Sequence, residues 1–451
     1  MKSIFSIREY GVISDGINGN PYSDDSIEID NESFESLSNF IEENVENINF
    51  DNAFSIFKKK GRRHIRVKNY VGAIETRQGV VIEILPKTYN NNIPASISES
   101  KLLLLNLLRT LSDSPFLNLN IAHLNVVDNF PILEIFITTY IDELEKTLSF
   151  SLRGDYHLVH ENTYFIKGKL LIGENIKRNA YKRHQFFCAY DIFSENIPPN
   201  KLIKSTLKHL LKISNISKNK NRIIKLMSNF ENVEFSQSLI SDLNYCKSRS
   251  KFLINYSKLI TWSEIYLKNK SFTNFHGGTI NQAILFPMEK LFENYITFLI
   301  KKYCNGLTIS SQDKKYSLIG QKSNINDQEY VINKFLLRPD IVINFDSVII
   351  DTKWKMLDGS NKKFGIQESD VYQMHAYGRR YQSGNNFKLA PRLGLIYPKN
   401  PDFNKSLLQM RYGEDLLLDV LPFDLSNKRP DLEIKKIVQS FMNNSTLESS
   451  I

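Results

Sequence analysis

Arg338-Pro339-Asp340-Ile341-Val342-Ile343-Asn344-Phe345-Asp346-Ser347-Val348-Ile349-Ile350-Asp351-Thr352-Lys353 reads as one β-hairpin carrying two acids and a lysine. The β-branched runs at 341–343 and 348–350 are strand formers, and the segment 344–347 between them is turn-like. A turn centred on Phe345 and Asp346 makes facing positions sum to 691, which sets Asp340 opposite Asp351. Cross-strand neighbours hold their side chains about 5 Å apart on one face. Strand alternation adds Lys353 to that face. Two carboxylates so close repel, and a bound cation relieves the repulsion. An oxygen-rich pair suits Mg²⁺, which keeps several of its waters. Such an ion polarises a phosphate and activates water, while the lysine offsets charge or orients the nucleophile. The pattern points to metal-assisted phosphodiester hydrolysis. Its plain alternative is a pair of solvated strand ends.

Two helical segments stand beside this hairpin in the sequence. Ser369 to Tyr381 reads as a helix with Ser369 as N-cap and Asp370 in its first turn. Gln373 and Tyr377, four apart, share a face, and Arg380 lies near it. These side chains suit contact with a phosphate or an exposed nucleotide; the alternative is an amphipathic helix with a buried tyrosine. His375 points to another face. Phe286 to Ile300 shows helical apolar spacing at Leu291, Phe292, Tyr295, Ile296 and Leu299, interrupted by Glu293. Glu293 is either a rim residue or a third carboxylate facing the metal. Trp354 reads as core filling under the hairpin.

The order Glu293, Asp340, Asp351-x-Lys353, Gln373-xxx-Tyr377 resembles the PD-(D/E)xK nucleases, in particular the RecB-like branch. The resemblance implies Asp340 and Asp351 as metal ligands, Lys353 as catalytic lysine and Glu293 as an auxiliary acid at the metal; the helix face shared by Gln373 and Tyr377, with Arg380 near it, is the one expected toward DNA. Upstream, Asn69-Tyr70-Val71-Gly72-Ala73-Ile74 and Val81-Ile82-Glu83-Ile84-Leu85-Pro86-Lys87 resemble the McrC family. So do Phe165-Ile166-Lys167-Gly168-Lys169-Leu170, Cys188-Ala189-Tyr190-Asp191-Ile192-Phe193, Asn200-Lys201-Leu202-Ile203-Lys204 and Asp351-Thr352-Lys353-Trp354-Lys355. The colinear match runs from about residue 60 to about 400. McrC is the nuclease subunit of the McrBC modification-dependent (5-methylcytosine) restriction system. The resemblance implies an endonuclease that uses Mg²⁺, cuts methylated double-stranded DNA, and stimulates a McrB-like AAA+ GTPase present as a hexameric ring.

The expected fold class is α+β and multidomain. Residues 1–100 read as a β-rich N-terminal domain with one helix, whose stripe is Phe34, Leu37, Phe40, Ile41 and Val45. Strands are expected from Gly61 to Lys87, with a turn at Thr76 to Gly79, and a linker from Tyr89 to Ser100. Residues 101–275 read as a helical, mixed middle region, with helices at 101–113 and 131–150 and short projecting strands within 155–195. Residues 276–451 are the expected nuclease domain, with an α/β restriction-endonuclease-like core. It follows a His276-Gly277-Gly278 turn, includes a core strand at Leu393 to Tyr397, weakens after Pro401, and ends in a disordered tail from Asn443.

Charge is unevenly spread. Residues 11–57 carry eleven acids and no Lys or Arg, and residues 167–225 carry fourteen Lys/Arg against three acids. Such asymmetry implies two different surfaces or partners. Lys177 and Arg178 sit in the basic stretch among aromatics. DNA, a solvated helix face and the partner ring all fit it, and the McrC resemblance favours ring contact for residues 155–190. No apolar run is long enough to span a bilayer, so no membrane partner is expected. Three widely spaced cysteines argue against a disulfide framework and for a reducing cytoplasm. No G-x-x-x-x-G-K-[ST] motif occurs, which fits an energy source in a partner. Two other readings stay open: a stand-alone RecB-like nuclease, and a non-catalytic activator of a AAA+ ring.

Overall fold

A computed structural model describes residues 3–16, 25–44, 53–90, 93–111, 115–118, 130–149, 152–267, 280–325, 328–344, 346–384 and 390–443, with the side chains of 321–333 and 443 excepted. The expected turn at His276 to Gly278, the centre of the hairpin turn at Phe345, helix-stripe residue Val45 and the tail beyond Asn443 lie outside these residues.

The N-terminal part is built on two four-stranded sheets. One runs Ser26–Ile29, Val12–Asp15, Arg62–Val67, Phe54–Lys59. The other runs Ile4–Arg8, Val81–Leu85, Tyr70–Thr76, Ile280–Pro287. The expected turn joins two strands of the second sheet: Gly79, at φ +88°, donates its N–H to the Thr76 carbonyl. The helix Asn31–Glu43 buries Phe34, Leu37, Phe40 and Ile41, and Asp30 caps it by accepting from the Ser33 N–H at 2.8 Å. The last strand of the second sheet comes from far along the chain. It runs antiparallel to Tyr70–Thr76, with Leu285 opposite Gly72. Gly72 sits at φ +140°, and a Cβ there would meet the Ile284 carbonyl oxygen at 2.0 Å, so only glycine lets the two backbones close.

The middle region is mainly helical, with helices at Ile97–Leu108, Ile132–Leu148, Pro198–Ile213, Ser217–Met227, Leu239–Ser248 and Ser257–Leu267. The expected linker through Ser100 is corrected. Its helix starts at Ile97 because Ser96 and Glu99 form a reciprocal capping box, a signal present in the sequence. Buried ionic groups fasten these helices to the N-terminal sheet. Lys101 Nζ lies 2.7 Å from the fully buried Glu83 carboxylate, which also accepts from the Ile132 N–H. A separate three-stranded sheet (Asp155–Thr163, Phe186–Ser194, Lys169–Leu170) leaves most of its first strand exposed. Cys188, Cys246 and Cys304 are unpaired and buried. Among the described residues, no helix is long and apolar enough to cross a membrane.

The C-terminal part holds a six-stranded mixed sheet in the order Ile309–Ser311, Ile341–Ile343, Val348–Thr352, Arg392–Pro398, Leu416–Phe423, Leu407–Tyr412. A hairpin, Ser317–Ile325 with Gln328–Leu336, is inserted after the first of these strands. The region after Pro401, expected to be weak, completes the sheet. Leu416–Phe423 lies parallel to Arg392–Pro398, and the buried Arg392 guanidinium holds Asp419 through two 2.9 Å hydrogen bonds. Strand alternation divides the side chains between two faces. Val348, Ile350 and Ile396 join the large core with the helices Met288–Tyr303 and Pro430–Asn443; that core continues into the N-terminal part as far as Ile7. Ile349, Leu393 and Leu395 form a second core with Met374 and Tyr377 of the helix Glu368–Gly384. Overall the chain is a mixed α/β protein whose N-terminal sheet and C-terminal sheet share one apolar core.

Candidate active site

The hairpin forms in the register read from its sequence: Ile341 faces Ile350, Val342 faces Ile349, and Ile343 faces Val348. Its turn needs two residues at positive φ, and Asn344 (+48°) and Asp346 (+76°) adopt it, as their short polar side chains allow. Asp346 is buried and is held by Lys315 Nζ at 2.5 Å. Both strands are wholly buried, and the second one pairs in parallel with Arg392–Pro398. Asp351 therefore stands near the end of an interior strand, on the face covered by the helix Glu368–Gly384.

Four of the expected residues converge there. Asp340 Oδ2 accepts from the Thr352 N–H (2.7 Å) and hydroxyl (2.8 Å), which locks it beside the end of the Asp351 strand. Lys353 Nζ lies 2.5 Å from Asp351 Oδ2, an ion-pair contact without good hydrogen-bond alignment. The same ammonium donates to Gln373 Oε1 at 2.9 Å. Glu293, half-buried on the helix Met288–Tyr303, reaches the group through a residue the sequence did not mark. Gln312 Nε2 donates to Glu293 Oε1 (2.6 Å) and to Asp340 Oδ1 (3.1 Å). Gln312 sits at φ +50° and also donates its backbone N–H to the Asp340 carbonyl at 3.0 Å. Nothing in its sequence context, Ser-Ser-Gln-Asp, announces this bridge.

Tyr377 is 4% exposed, and its hydroxyl accepts from Gln373 Nε2 at 2.7 Å. It acts on the site through Gln373, because the helix turns its ring into the second core. Arg380 donates to the Ser317 carbonyl at 2.8 Å and so ties this helix to the inserted hairpin. His375 is exposed, on another face as read. A further layer was missed. Asp370 is buried, pairs with Lys355 Nζ at 2.9 Å, and accepts from the Tyr397 hydroxyl at 2.9 Å. Trp354 is 1% exposed and packs on Phe292 at 5.5 Å between ring centroids; its indole N–H donates to Glu9 at 3.0 Å.

The electrostatics follow from burial and crowding. Burial raises the Asp351 carboxyl above the usual range, and the Asp340 charge raises it further. Asp340 is raised by burial and by Glu293, and Glu293 by burial and by Asp351. For Lys353, burial favours the neutral amine, but the adjacent Asp351 outweighs it and holds the ammonium. Three carboxyls that raise one another are an arrangement a cation stabilises. Among the described residues, no three His, Cys, Asp or Glu side chains close tightly enough to cage an ion unaided. Mg²⁺ takes one or two carboxylates and fills the rest of its shell with water and substrate oxygens. Asp340 and Asp351 could supply those carboxylates, with Glu293 at the margin.

A family model described as McrBC 5-methylcytosine restriction system component matches residues 65–398. The chain belongs to this McrBC family. The match spans the colinear motifs on which the McrC resemblance was read. Two solved structures are similar in fold. One is a half-complex from a tetradecameric assembly of Thermococcus gammatolerans McrB AAA+ hexamers with bound McrC, at TM-score 0.67 and 14% identity over 97% of this chain and 100% of that chain. The other is a Thermococcus gammatolerans McrBC complex, at TM-score 0.51 and 15% identity over 67% and 88%. No curated protein matches in sequence. In this McrBC-family chain, Lys177 and Arg178 lie outside the acid cluster, on the short helix Ile172–Asn179 beside the exposed three-stranded sheet. Both are exposed and both pair with Glu174, and Arg178 also stacks over Phe187.

Proposed function

We propose that this chain is the Mg²⁺-dependent endonuclease subunit of a modification-dependent restriction complex, with a PD-(D/E)xK core, and that it cuts double-stranded DNA when assembled with a McrB-like AAA+ GTPase ring. The observation that carries the reading is the convergence of Asp340, Asp351 and Lys353 on one sheet face, with Glu293 joined to them through Gln312. A helix-terminal or rim acid has no such company. Asp340 and Asp351 would hold the metal, with Glu293 beside them, and Mg²⁺ supplies Lewis acidity at the phosphate. Thr352 fixes the orientation of Asp340. Lys353, cationic and aimed by Gln373, orients the attacking water and offsets charge that grows on the phosphate. Tyr377 keeps Gln373 in that pose, and Gln373 and Arg380 border the path we assign to the DNA strand.

The ring contact is assigned to the sheet and helix within residues 155–190. Tyr164, Phe165, Ile166, Ile176 and Tyr181 are all more than half exposed there, next to Lys177 and Arg178. Large apolar side chains exposed in such number within one short region are characteristic of a docking face.

The deciding experiment incubates the protein and Mg²⁺ with methylated or unmethylated plasmid, with and without the cognate AAA+ partner and GTP. Cutting that requires partner, GTP and methylation is the expected result. Cutting by the chain alone would refute the restriction-complex reading, and stimulated GTPase without cutting would refute the nuclease reading. Charge reversal at Lys177 and Arg178 checks the ring contact, and unchanged GTPase stimulation would sink it.

A further inference from the structure

Glu9 is fully buried, directly after the strand Ile4–Arg8 of the N-terminal sheet. An isolated carboxyl in an apolar core is costly, so what it holds identifies its task. Its backbone N–H donates to the Leu85 carbonyl at 3.0 Å, and its Oε2 accepts from the Lys87 N–H at 3.1 Å, which seats it firmly on the N-terminal sheet. Its Oε1 accepts from the indole N–H of Trp354, 345 positions away. Trp354 follows Lys353 directly, where the Val348–Thr352 strand has ended and an irregular segment runs to the helix at Glu368. The indole also packs on Phe292, the neighbour of Glu293. One ring therefore touches both the lysine segment and the helix that carries the third acid. The single N–H of the indole is spent on Glu9.

We propose that Glu9 is a positioning residue for the acid–lysine site, and that through Trp354 it makes the geometry of that site depend on the N-terminal sheet. The activity part of this inference rests on the nuclease reading above; the structural part does not. The Lys353 backbone is fixed at one point by donation to the Ile396 carbonyl at 2.9 Å. The indole anchor one residue later supplies the second point that sets the direction of the lysine side chain. Loss of that anchor leaves the sheet and the ligands in place and loosens the segment 353–356.

The test compares Glu9→Met, which keeps the volume and removes the acceptor, with Trp354→Phe, which keeps the ring and removes the donor. The double variant closes the cycle. In the complex with partner and GTP, each single variant is expected to lower kcat for DNA cleavage on the order of tenfold, as a small misplacement of a reacting group does. KM for DNA and GTPase stimulation stay unchanged. The double variant is no worse than the worse single one, because both act through one hydrogen bond. Amide hydrogen exchange of the metal-free protein gives a readout independent of activity. Residues 353–356 exchange faster in both single variants, while 81–85 stay protected. Additive losses, or unchanged exchange at 353–356, would overturn the proposal. If Glu9→Met does not fold, Trp354→Phe with the same exchange measurement decides it. If the wild type cuts no DNA, the nuclease reading fails, and exchange still settles whether Glu9 holds the lysine segment.

Discussion

Replacing Glu9 by Gln should change how stability depends on pH, with a size that can be worked out. Burial raises the folded-state pKa of Glu9 from 4.5 to about 8; donation from the Lys87 N–H and from Trp354 pulls it down, and Glu289 pushes it up. The unfolded chain thus loses this proton near pH 4.5, whereas the fold keeps it until about pH 8. Between those values the folded state binds more protons, so stability falls as pH rises. The contribution is fully present below 4.5 and is lost as the pH passes through about 8. A shift of that size corresponds to about 5 kcal/mol across the window. Gln carries no charge and removes the slope. It offers only one acceptor where Glu9 serves two donors, which costs about 1–3 kcal/mol at every pH. The variant should therefore be less stable than wild type at pH 5 and more stable at pH 9, the two curves crossing between. Urea titrations in EDTA followed by far-UV circular dichroism, at intervals of half a pH unit, read this directly. Parallel curves from pH 5 to 9, or a wild type that gains on the variant as pH rises, would refute the assignment of a buried, proton-holding Glu9.

Asp351→Ala and Lys353→Ala should each reduce DNA cleavage at least about a hundredfold, the scale of losing a positioned charge at a reacting phosphate, and leave GTPase stimulation by the chain intact; loss of both activities together would show that the two surfaces are not separate. Tyr377→Phe removes only the hydroxyl that holds Gln373, so single-turnover cleavage should slow by a few-fold with DNA affinity unchanged, and an unchanged rate would detach Gln373 orientation from catalysis. Lys101→Met strands the buried Glu83 carboxylate and should cost about 3–5 kcal/mol of stability by denaturant titration, an effect that the double change Lys101→Met, Glu83→Gln should largely reverse.

The acid hairpin was legible because its information is local. β-branched runs and a polar turn set a register, and the register set which side chains share a face. The pairing of Ile341 with Ile350 follows from that pattern alone. The Gln373–Tyr377 pair was legible for the same reason, from helical spacing, although the pattern did not show that the tyrosine points inward. Gln312 was not legible. It stands alone between a serine pair and an aspartate, and its task arises from a left-handed backbone and two acids on other elements. The bond from Trp354 to Glu9 was hidden by separation, since no periodic pattern links positions 345 residues apart. The strand Leu416–Phe423 was underrated because its hydrophobic run follows a short polar turn, Gly413-Glu414-Asp415, and only pairing on both sides, with Arg392–Pro398 and Leu407–Tyr412, makes it interior. The helix start at Ile97, by contrast, is local, written in the capping box of Ser96 and Glu99.

The strand Ile280–Pro287 has a consequence for how the protein is made. Its hydrogen-bond partner, Tyr70–Thr76, leaves the ribosome about 200 residues earlier. At the usual elongation rate of about 5–20 residues per second, that edge waits for roughly 10–40 s before its neighbour exists. During that time it is a buried-type strand, with every residue destined for the interior, offering a free row of backbone donors and acceptors. A nascent chain in this state is open to pairing with another copy of itself. Its yield in cells should therefore depend on translation speed between residues 77 and 280 and on chaperones that cover strand edges, even though the finished protein shows no such weakness along that edge.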